Sequence, residues 1–338
     1  MTATYGTLTD EQRVFYEMAM LPRAVPPFSH LYFGQRGVHP PTTLPENKGD
    51  TINWRLFAAF NAVSTPLTEG VTPDAQDISI TATTGTVQEY GAYVRYTRKL
   101  ASMGIDKVAA EASDALGEQA GDSLDQLVRD VVVAGTTVQY ASTAALRTEI
   151  TAAMKLTAAE GLEAVATLKT NKARTIETNL FCGLIHPHAE YDAYQDTTWQ
   201  NIMHYSKDRG EKNPWTTGYI GDALGVRWFC TPNAKVWANG GVGTADVYAA
   251  MILAKAAFGI GGLAAFMPSA MKNQQGIDNN NTLQKIRPLR LINKDFGSAG
   301  TADPMDQRAT IAWYTTFTTK RLREAFMVRI EHGATLGP

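Results

Sequence analysis

The chain has 338 residues, of which 44% are hydrophobic and 19% are charged, and its net charge is -2. This composition is typical of a globular protein with two or three domain-sized cores. The near-neutral charge excludes a global basic field that would recruit nucleic acid. The most membrane-like stretch, residues 247–267, contains Lys255 and three glycines, which disfavours a membrane span. We therefore expect a soluble protein.

Residues 1–48 are predicted to form an arm without a core of its own. The pattern over Leu8–Met20 favours a short helix, with Thr9 as its cap. Beyond it, closely spaced prolines disfavour regular structure: Pro22, Pro26, Pro27, Pro40, Pro41 and Pro45. A segment of this kind is expected to lie across other surfaces.

A long polar hairpin is predicted between Asp50 and Leu100. Its first strand, Thr51–Leu56, alternates apolar and polar residues, and its return runs through Ile78–Thr83 and Tyr90–Thr97. A turn segment with a proline near each end, Thr65–Pro73, joins the two sides. A two-stranded ribbon is marginal alone in water. The sequence offers it no local support, so we expect it to lie on a neighbouring copy of the chain.

The hairpin is followed by a predicted helix over Asp106–Ala134, because apolar residues recur three or four apart. Its carboxylates also recur at this spacing and share one face: Glu111, Asp114, Glu118, Asp122 and Asp125. A cation site is one interpretation of such a face. We favour a solvated acidic face, since no histidine or ligand loop accompanies it.

The remainder of the chain alternates short helices and strands. Helices are predicted over Thr157–Lys169 and Ala189–Tyr194. Strands are predicted over Leu180–Ile185, Gly225–Cys230, Tyr248–Leu253, Thr310–Thr318 and Ala325–Ile330. The glycine-rich runs 240–243 and 259–262 lack the lysine and Ser/Thr of a phosphate-binding loop, so we interpret both as turns.

Side chains with catalytic or metal-binding chemistry are sparse. Cys182, His186, His188 and Glu190 are one candidate metal set, but Pro187 interrupts it, and a histidine pair at a strand end is the simpler interpretation. No serine elbow of the Gly-x-Ser-x-Gly type is present. Cys182 and Cys230 are expected to be buried thiols in a reducing compartment. We expect no enzymatic activity, no cofactor and no bound metal.

Several segments carry a family resemblance through their order and spacing: Leu67–Pro73, Tyr90–Val94, Ile185–Pro187, Gly300–Arg308 and Met327–Ile330. With them the chain, from about Thr51 to His332, resembles the major capsid proteins of tailed double-stranded DNA bacteriophages. The resemblance is to the N4-like family with the Hong Kong 97-type (Johnson) fold. It implies an α+β structure with an N-terminal arm (1–48) and an extended-loop hairpin (49–100). A peripheral domain with a long spine helix (101–139 and 286–338) and an axial domain (140–285) complete it.

The resemblance also implies a structural protein that self-assembles as hexamers and pentamers into an icosahedral head around double-stranded DNA. Assembly would occur in the host bacterial cytoplasm, and the hairpin and arm would shift as the shell matures. The implied partners are many copies of itself, portal, scaffolding and decoration proteins, and DNA bound non-specifically, with no membrane. The alternative is an encapsulin-like compartment of the same fold that packages a cargo protein.

Two surfaces are therefore the candidate sites. The first is a subunit interface at the tip and base of the extended loop: Thr68, Glu69, Gly70, Val71, Thr72, Pro73, Tyr90, Arg95 and Arg98. At its base we expect an ion pair between subunits, with Glu69 as a candidate partner. The second is the acidic helix face, which on this resemblance lines the shell interior and repels the DNA.

Overall fold

The computed structural model describes a mixed helix and sheet protein. The described residues are 31, 42–44, 48–58, 60, 62–64, 66–67, 69–70, 72, 75–104, 108–176, 179–205, 222–263 and 289–337. The predicted helix Leu8–Met20 lies outside this part of the chain. So does the segment 271–283, whose asparagines and glutamines predict an exposed polar loop. Within it, no helix is both long and apolar enough to cross a membrane.

The helices and strands are labelled here in chain order. The helices are α1 (Arg98–Met103), α2 (Val108–Val133), α3 (Ala158–Thr170), α4 (Pro187–Gln195) and α5 (Thr197–Tyr205). The strands are β1 (Thr42–Leu44), β2 (Thr51–Phe57), β3 (Ile80–Thr86), β4 (Gln88–Thr97), β5 (Val138–Tyr140), β6 (Phe181–Ile185), β7 (Asp222–Ala223), β8 (Val226–Cys230), β9 (Val236–Trp237), β10 (Val247–Leu253), β11 (Phe258–Leu263), β12 (Arg290–Lys294), β13 (Arg308–Arg321) and β14 (Met327–His332).

The strands form two larger sheets and one hairpin. A five-stranded sheet has the order β1-β11-β13-β12, and β4 also pairs with β13. A seven-stranded sheet has the order β5-β14-β10-β6-β8-β7, and β9 also pairs with β10. The hairpin consists of β2 and β3, with Thr51 opposite Thr86 and Phe57 opposite Ile80.

The long helix α2 packs on the five-stranded sheet through the apolar stripe that its sequence predicts. Leu116, Ala120, Leu124 and Val128 are at most 3% exposed and share a core with side chains of β11 and β13. The helix confirms the predicted element, and its described part begins at Val108. Asp106, its predicted cap, lies outside the described residues.

The seven-stranded sheet is buried on both faces. Along β10, Met251 and Leu253 join the core beneath α2, whereas Ala250 and Ile252 face a second core. Helices α3, α4 and α5 contribute to that second core, in which the rings of Trp199 and Trp228 meet edge-on at 5.5 Å. The Trp228 ring lies over Gly183, where a Cβ atom would be 2.5 Å from it. The alternation of side chains across strands explains why one apolar run serves two cores.

Three predictions about local structure are wrong. The run 259–262 lies inside β11, and the chain turns at 254–257 instead. Thr42–Leu44 forms β1, parallel to β11, despite the prolines on both sides. The sequence predicts no support for the ribbon within its own chain, but β4, the second part of its return side, pairs with β13 from Phe317 opposite Gln88 to Arg308 opposite Thr97. The chain therefore supports part of the ribbon itself.

Candidate functional site

The predicted loop tip is solvent-exposed where the structure describes it. Glu69, Gly70 and Thr72 are all exposed, and Glu69 and Gly70 lie in a turn. Gly70 has φ of +77°, which is left-handed backbone that glycine adopts without strain, and a Cβ atom there would have no neighbour within 4 Å. Thr68, Val71 and Pro73 lie outside the described residues. The described part of the tip therefore touches little of its own chain.

The root of the hairpin is anchored by two side chains of β2. Ile52 and Trp54 are 2% and 3% exposed, on the side of the strand that faces the five-stranded sheet. Glycines leave the space that these two side chains occupy, and we call this space the glycine seat. A Cβ atom at Gly259 would lie 2.9 Å from the Trp54 ring, and one at Gly261 would lie 2.4 Å from Ile52. Gly85 of β3 is equally close to Trp54, at 2.8 Å. These contacts fix the root of the hairpin on the five-stranded sheet.

Beyond the root, the hairpin and its connecting loop present apolar side chains to solvent. Six large ones are between 51% and 75% exposed: Phe57, Phe60, Val63, Leu67, Ile78 and Ile80. Single exposed apolar side chains are normal on protein surfaces, whereas several on one projecting element provide apolar area for an interaction. The hairpin can therefore stabilise a contact with a second protein surface.

The three predicted base residues have different environments. Tyr90 is half-buried against Phe317, with ring centroids 5.0 Å apart, and its hydroxyl donates to Gln88 Oε1 at 2.8 Å. Arg95 is exposed on β4. Arg98 begins α1, and its guanidinium carbon lies 5.3 Å from the centre of the Phe296 ring. Tyr90 thus contributes to packing within the chain, whereas the two arginines remain accessible.

The acidic face of α2 is less uniform than its spacing predicts. Glu111 and Glu118 are exposed, and Asp114 is half-buried. Asp122 accepts hydrogen bonds from Asn233 Nδ2 at 2.6 Å and Gln126 Nε2 at 2.8 Å. These contacts make Asp122 part of a link between the helix and the segment that follows β8.

Asp125 does not belong to a solvated face, so that part of the prediction is wrong. Its side chain is 1% exposed, and its Oδ1 accepts the backbone N–H of Leu31 at 2.9 Å. Leu31 is itself only 3% exposed. Buried carboxylates require hydrogen-bond partners, and this one fixes a point of the N-terminal segment on the helix.

The C-terminal end of α2 is held by two arginines that the sequence analysis did not single out. Arg321 donates to the carbonyl of Val131 at 2.9 Å. Arg329 donates to the carbonyl of Val133 and, at 3.2 Å, to that of Gly135. The last carbonyls of a helix have no partner within it and carry partial negative charge. Two cations from β13 and β14 therefore fix the helix against both larger sheets.

The candidate metal set is divided by the sheet. Cys182 lies in the core beneath α2, whereas His186 and His188 stand at the start of α4. Cys230 is half-buried, and burial, reinforced by the Glu190 carboxylate, raises the pKa of its thiol. Among the described residues, no group of three His, Cys, Asp or Glu side chains is arranged to hold a metal ion.

Comparisons with known proteins match this architecture. The family model described as phage capsid protein matches residues 80–316. The capsid of Ralstonia phage GP4 superposes with a TM-score of 0.65 at 12% identity, covering 90% of this chain and 91% of that one. The cyanophage Pam1 capsid has a TM-score of 0.63 at 14% identity, covering 89% and 91%. A comparison with curated protein sequences found no match.

A third solved structure has the same arrangement, the capsid of the Helicobacter pylori bacteriophage KHP30. Its TM-score is 0.61 at 9% identity, and it covers 88% of each chain. These structural matches show the Hong Kong 97-like fold, and the family match supplies the role; together they favour a phage capsid over an encapsulin-like compartment. The chain belongs to the phage capsid protein family and is a structural major capsid protein that forms a virion shell from many copies of itself.

Proposed function

We propose that this protein is the shell subunit of a tailed phage of the N4-like group, arranged as hexamers and pentamers around double-stranded DNA. The observation that carries the proposal is the hairpin, anchored at its root by Trp54 and exposed along its apolar length. Closed shells repeat heterologous contacts by rotation, and a projecting element that overlaps a neighbour supplies such a contact. Many weak copies of one contact then stabilise the assembly together.

The proposed division of the chain has four parts. Residues 1–48 are the arm and 49–100 the extended loop. The peripheral domain comprises 101–139 and 286–338, built around α2 as the spine helix. Residues 140–285 are the axial domain, which surrounds the hexamer and pentamer centres. The cores support this division in part, because α2 and β13 share one core while α3, α4 and α5 share the other. Two strand pairs cross it, since β11 pairs with β13 and β14 pairs with β10.

In this proposal the loop tip, from Thr68 to Pro73, contacts a neighbouring subunit. Burying one large apolar side chain contributes about 1.5–3 kcal/mol. The exposed side chains of the hairpin therefore suffice for a contact of several kcal/mol. The conformational entropy lost when the loop becomes ordered reduces this free energy. Arg95 and Arg98, which are accessible near the base, are the proposed partners for acidic groups such as Glu69 across the interface. A surface ion pair adds only about 0–1 kcal/mol, so its role is to set register.

Truncation of the tip tests the interface. We expect a chain shortened across residues 68–73 to fold with an unchanged unfolding midpoint, because the described tip residues make few contacts. It should fail to form shells in electron micrographs. The matched control is Gly70→Asn, which tolerates the left-handed backbone and retains the apolar side chains, and which should assemble. Normal particles from the truncated chain would show that the tip is not an assembly contact.

We propose that the accessible part of the acidic face, Glu111, Asp114 and Glu118, lines the shell interior. Asp122 lies on the same line but is already engaged by Asn233. Carboxylates facing the genome repel phosphates at distances within about 10 Å at moderate salt. The variant Glu111→Gln/Glu118→Gln should raise the DNA retained by empty shells, whereas Glu163→Gln on α3 should not. Equal retention in both variants would contradict the interior assignment.

The remaining partners follow from the same proposal. Portal, scaffolding and decoration proteins would join the shell, with assembly in the host bacterial cytoplasm. Electron microscopy of the chain expressed alone, with the absorbance ratio for nucleic acid, is the first test. Uniform shells, tubes or capsomer rings support self-assembly. A monomer that stays monomeric when a scaffolding protein is co-expressed contradicts it.

A further inference from the structure

Three histidines surround one tyrosine at an end of the seven-stranded sheet. The ring of Tyr248, on β10, lies 4.9 Å from that of His186, 5.4 Å from that of His188 and 6.0 Å from that of His332. The Tyr248 hydroxyl and His188 Nδ1 are 2.8 Å apart. His332 ends β14 directly opposite Tyr248. The cluster therefore joins α4, β10 and β14.

His332 is packed in a way that requires its neutral form. Its side chain is fully buried, and its Nδ1 lies 2.7 Å from the carbonyl oxygen of Gly333. A carbonyl only accepts, so Nδ1 carries the single proton of the neutral ring. In the described part of the chain Nε2 is buried without a hydrogen-bond partner. A second proton would place an unpaired donor and a charge in a dry site.

His186 also requires a neutral ring. It caps α4, and its Nδ1 accepts the backbone N–H of His188 at 3.1 Å. A protonated Nδ1 cannot accept this hydrogen bond, so protonation there removes the cap. A positive charge at a helix N-terminus is also unfavourable because of the helix dipole. Protonation therefore destabilises the folded arrangement of both His186 and His332.

The charged groups around the cluster connect it to the C-terminal residues. Asp192 of α4, 3% exposed, accepts from the Thr335 backbone N–H at 2.9 Å and from its hydroxyl at 2.5 Å. Lys155 Nζ lies 3.4 Å from the same carboxylate. Burial raises the pKa of the Tyr248 hydroxyl, and the nearby Asp246 carboxylate raises it further. The Asp192 carboxylate favours the charged form of His332, but it already binds Thr335 and Lys155. It therefore offsets only part of the free-energy cost of burying a charged His332 ring.

We propose that His186 and His332 form an acid-sensitive latch that holds residues 333–337 and the start of α4 on the sheet at neutral pH and releases them on acidification. Burial lowers the pKa of both histidines to about 4, with the neighbouring His188 contributing at His186. The released state, with an ordinary histidine pKa of about 6.5, binds more protons, so the latch weakens as pH falls from about 6.5 towards 4. For His332 alone, the opening equilibrium rises roughly 50-fold between about pH 7 and 4.5. This device is a property of the folded subunit and extends beyond its proposed role in the shell.

Hydrogen–deuterium exchange of the full chain across this pH range tests the latch. The measured quantity is the protection of residues 333–337 and of the start of α4 relative to a reference peptide in α2, after correction for intrinsic exchange rates. We expect roughly 50-fold loss of protection in the C-terminal segment before the α2 peptide changes. Protection that stays constant, or that is lost together with α2, would overturn the proposal.

A double variant separates the latch from general acid unfolding. In His186→Asn/His332→Gln, asparagine is a strong helix cap and glutamine can donate to the Gly333 carbonyl, yet neither residue gains a charge. We expect its C-terminal protection to be independent of pH, while Glu190→Gln on the same helix keeps the wild-type response. An unchanged acid response in the double variant would refute the latch. If that variant does not fold, the wild-type exchange series alone decides.

Discussion

Replacing Trp54 by alanine should detach the hairpin from the five-stranded sheet without unfolding the two cores. Trp54 is 3% exposed and fills a seat formed by Gly85, Gly259 and Gly261. Removing a buried aromatic side chain costs about 3–5 kcal/mol, and no described group loses a hydrogen bond because Nε1 has none. We therefore use the lower end, about 3 kcal/mol, which corresponds to roughly a 100-fold shift towards the detached hairpin.

Amide exchange measures this shift directly. An isolated two-stranded hairpin is marginal in water, so once detached, strands 51–57 and 80–86 should lose protection. The matched control is Phe57→Ala, which removes an aromatic ring from the same strand at a position that is 60% exposed. The control should keep wild-type protection. Equal protection of the hairpin in Trp54→Ala and in the wild type would refute the anchoring role of the glycine seat.

Two further substitutions probe the seven-stranded sheet. Glu331 is fully buried and pairs with Arg147 at 2.7 Å and with Arg329 at 2.8 Å. Glu331→Gln should lower the unfolding free energy by about 3 kcal/mol, because two guanidinium groups lose their counter-charge. A urea midpoint within error of the wild type would contradict this. Gly183→Ala places a Cβ atom 2.5 Å from Trp228 and should cost about 1–3 kcal/mol. Its thermal midpoint and tryptophan fluorescence would report the overpacking, and an unshifted midpoint would show that the ring can move.

The elements that the sequence predicts well are those whose signal is local. The apolar spacing along α2 predicts its length to within a few residues, because every turn repeats the same pattern. The alternation in Thr51–Leu56 likewise places Ile52 and Trp54 on one side of a strand. It does not reveal what they touch, since their partners in β11 lie about two hundred residues further along the chain.

The incorrect predictions arise where a distant partner changes the meaning of a local pattern. Asp125 has the spacing of a surface acid, but it is buried and accepts a hydrogen bond from the amide of Leu31, 94 residues away. Gly259 and Gly261 have the composition of a turn, but they are glycines because Trp54 and Ile52 occupy the space of a side chain. An indication was available: paired glycines two apart in an apolar run leave one face of a strand open to a large ring.

The long strand β13 has a mechanical consequence. It pairs with β4 over ten residues, with β11 at Thr318–Arg321 and with β12 at Thr310–Tyr314, and its last residue, Arg321, holds the carboxyl end of α2. Antiparallel hydrogen bonds run perpendicular to the strands. Tension applied along the hairpin and β4 therefore loads the whole ladder in shear, where all its bonds resist together and none is peeled singly. A subunit pulled at its projecting loop transmits the force through β13 to α2, so the sheet and this helix resist the force together.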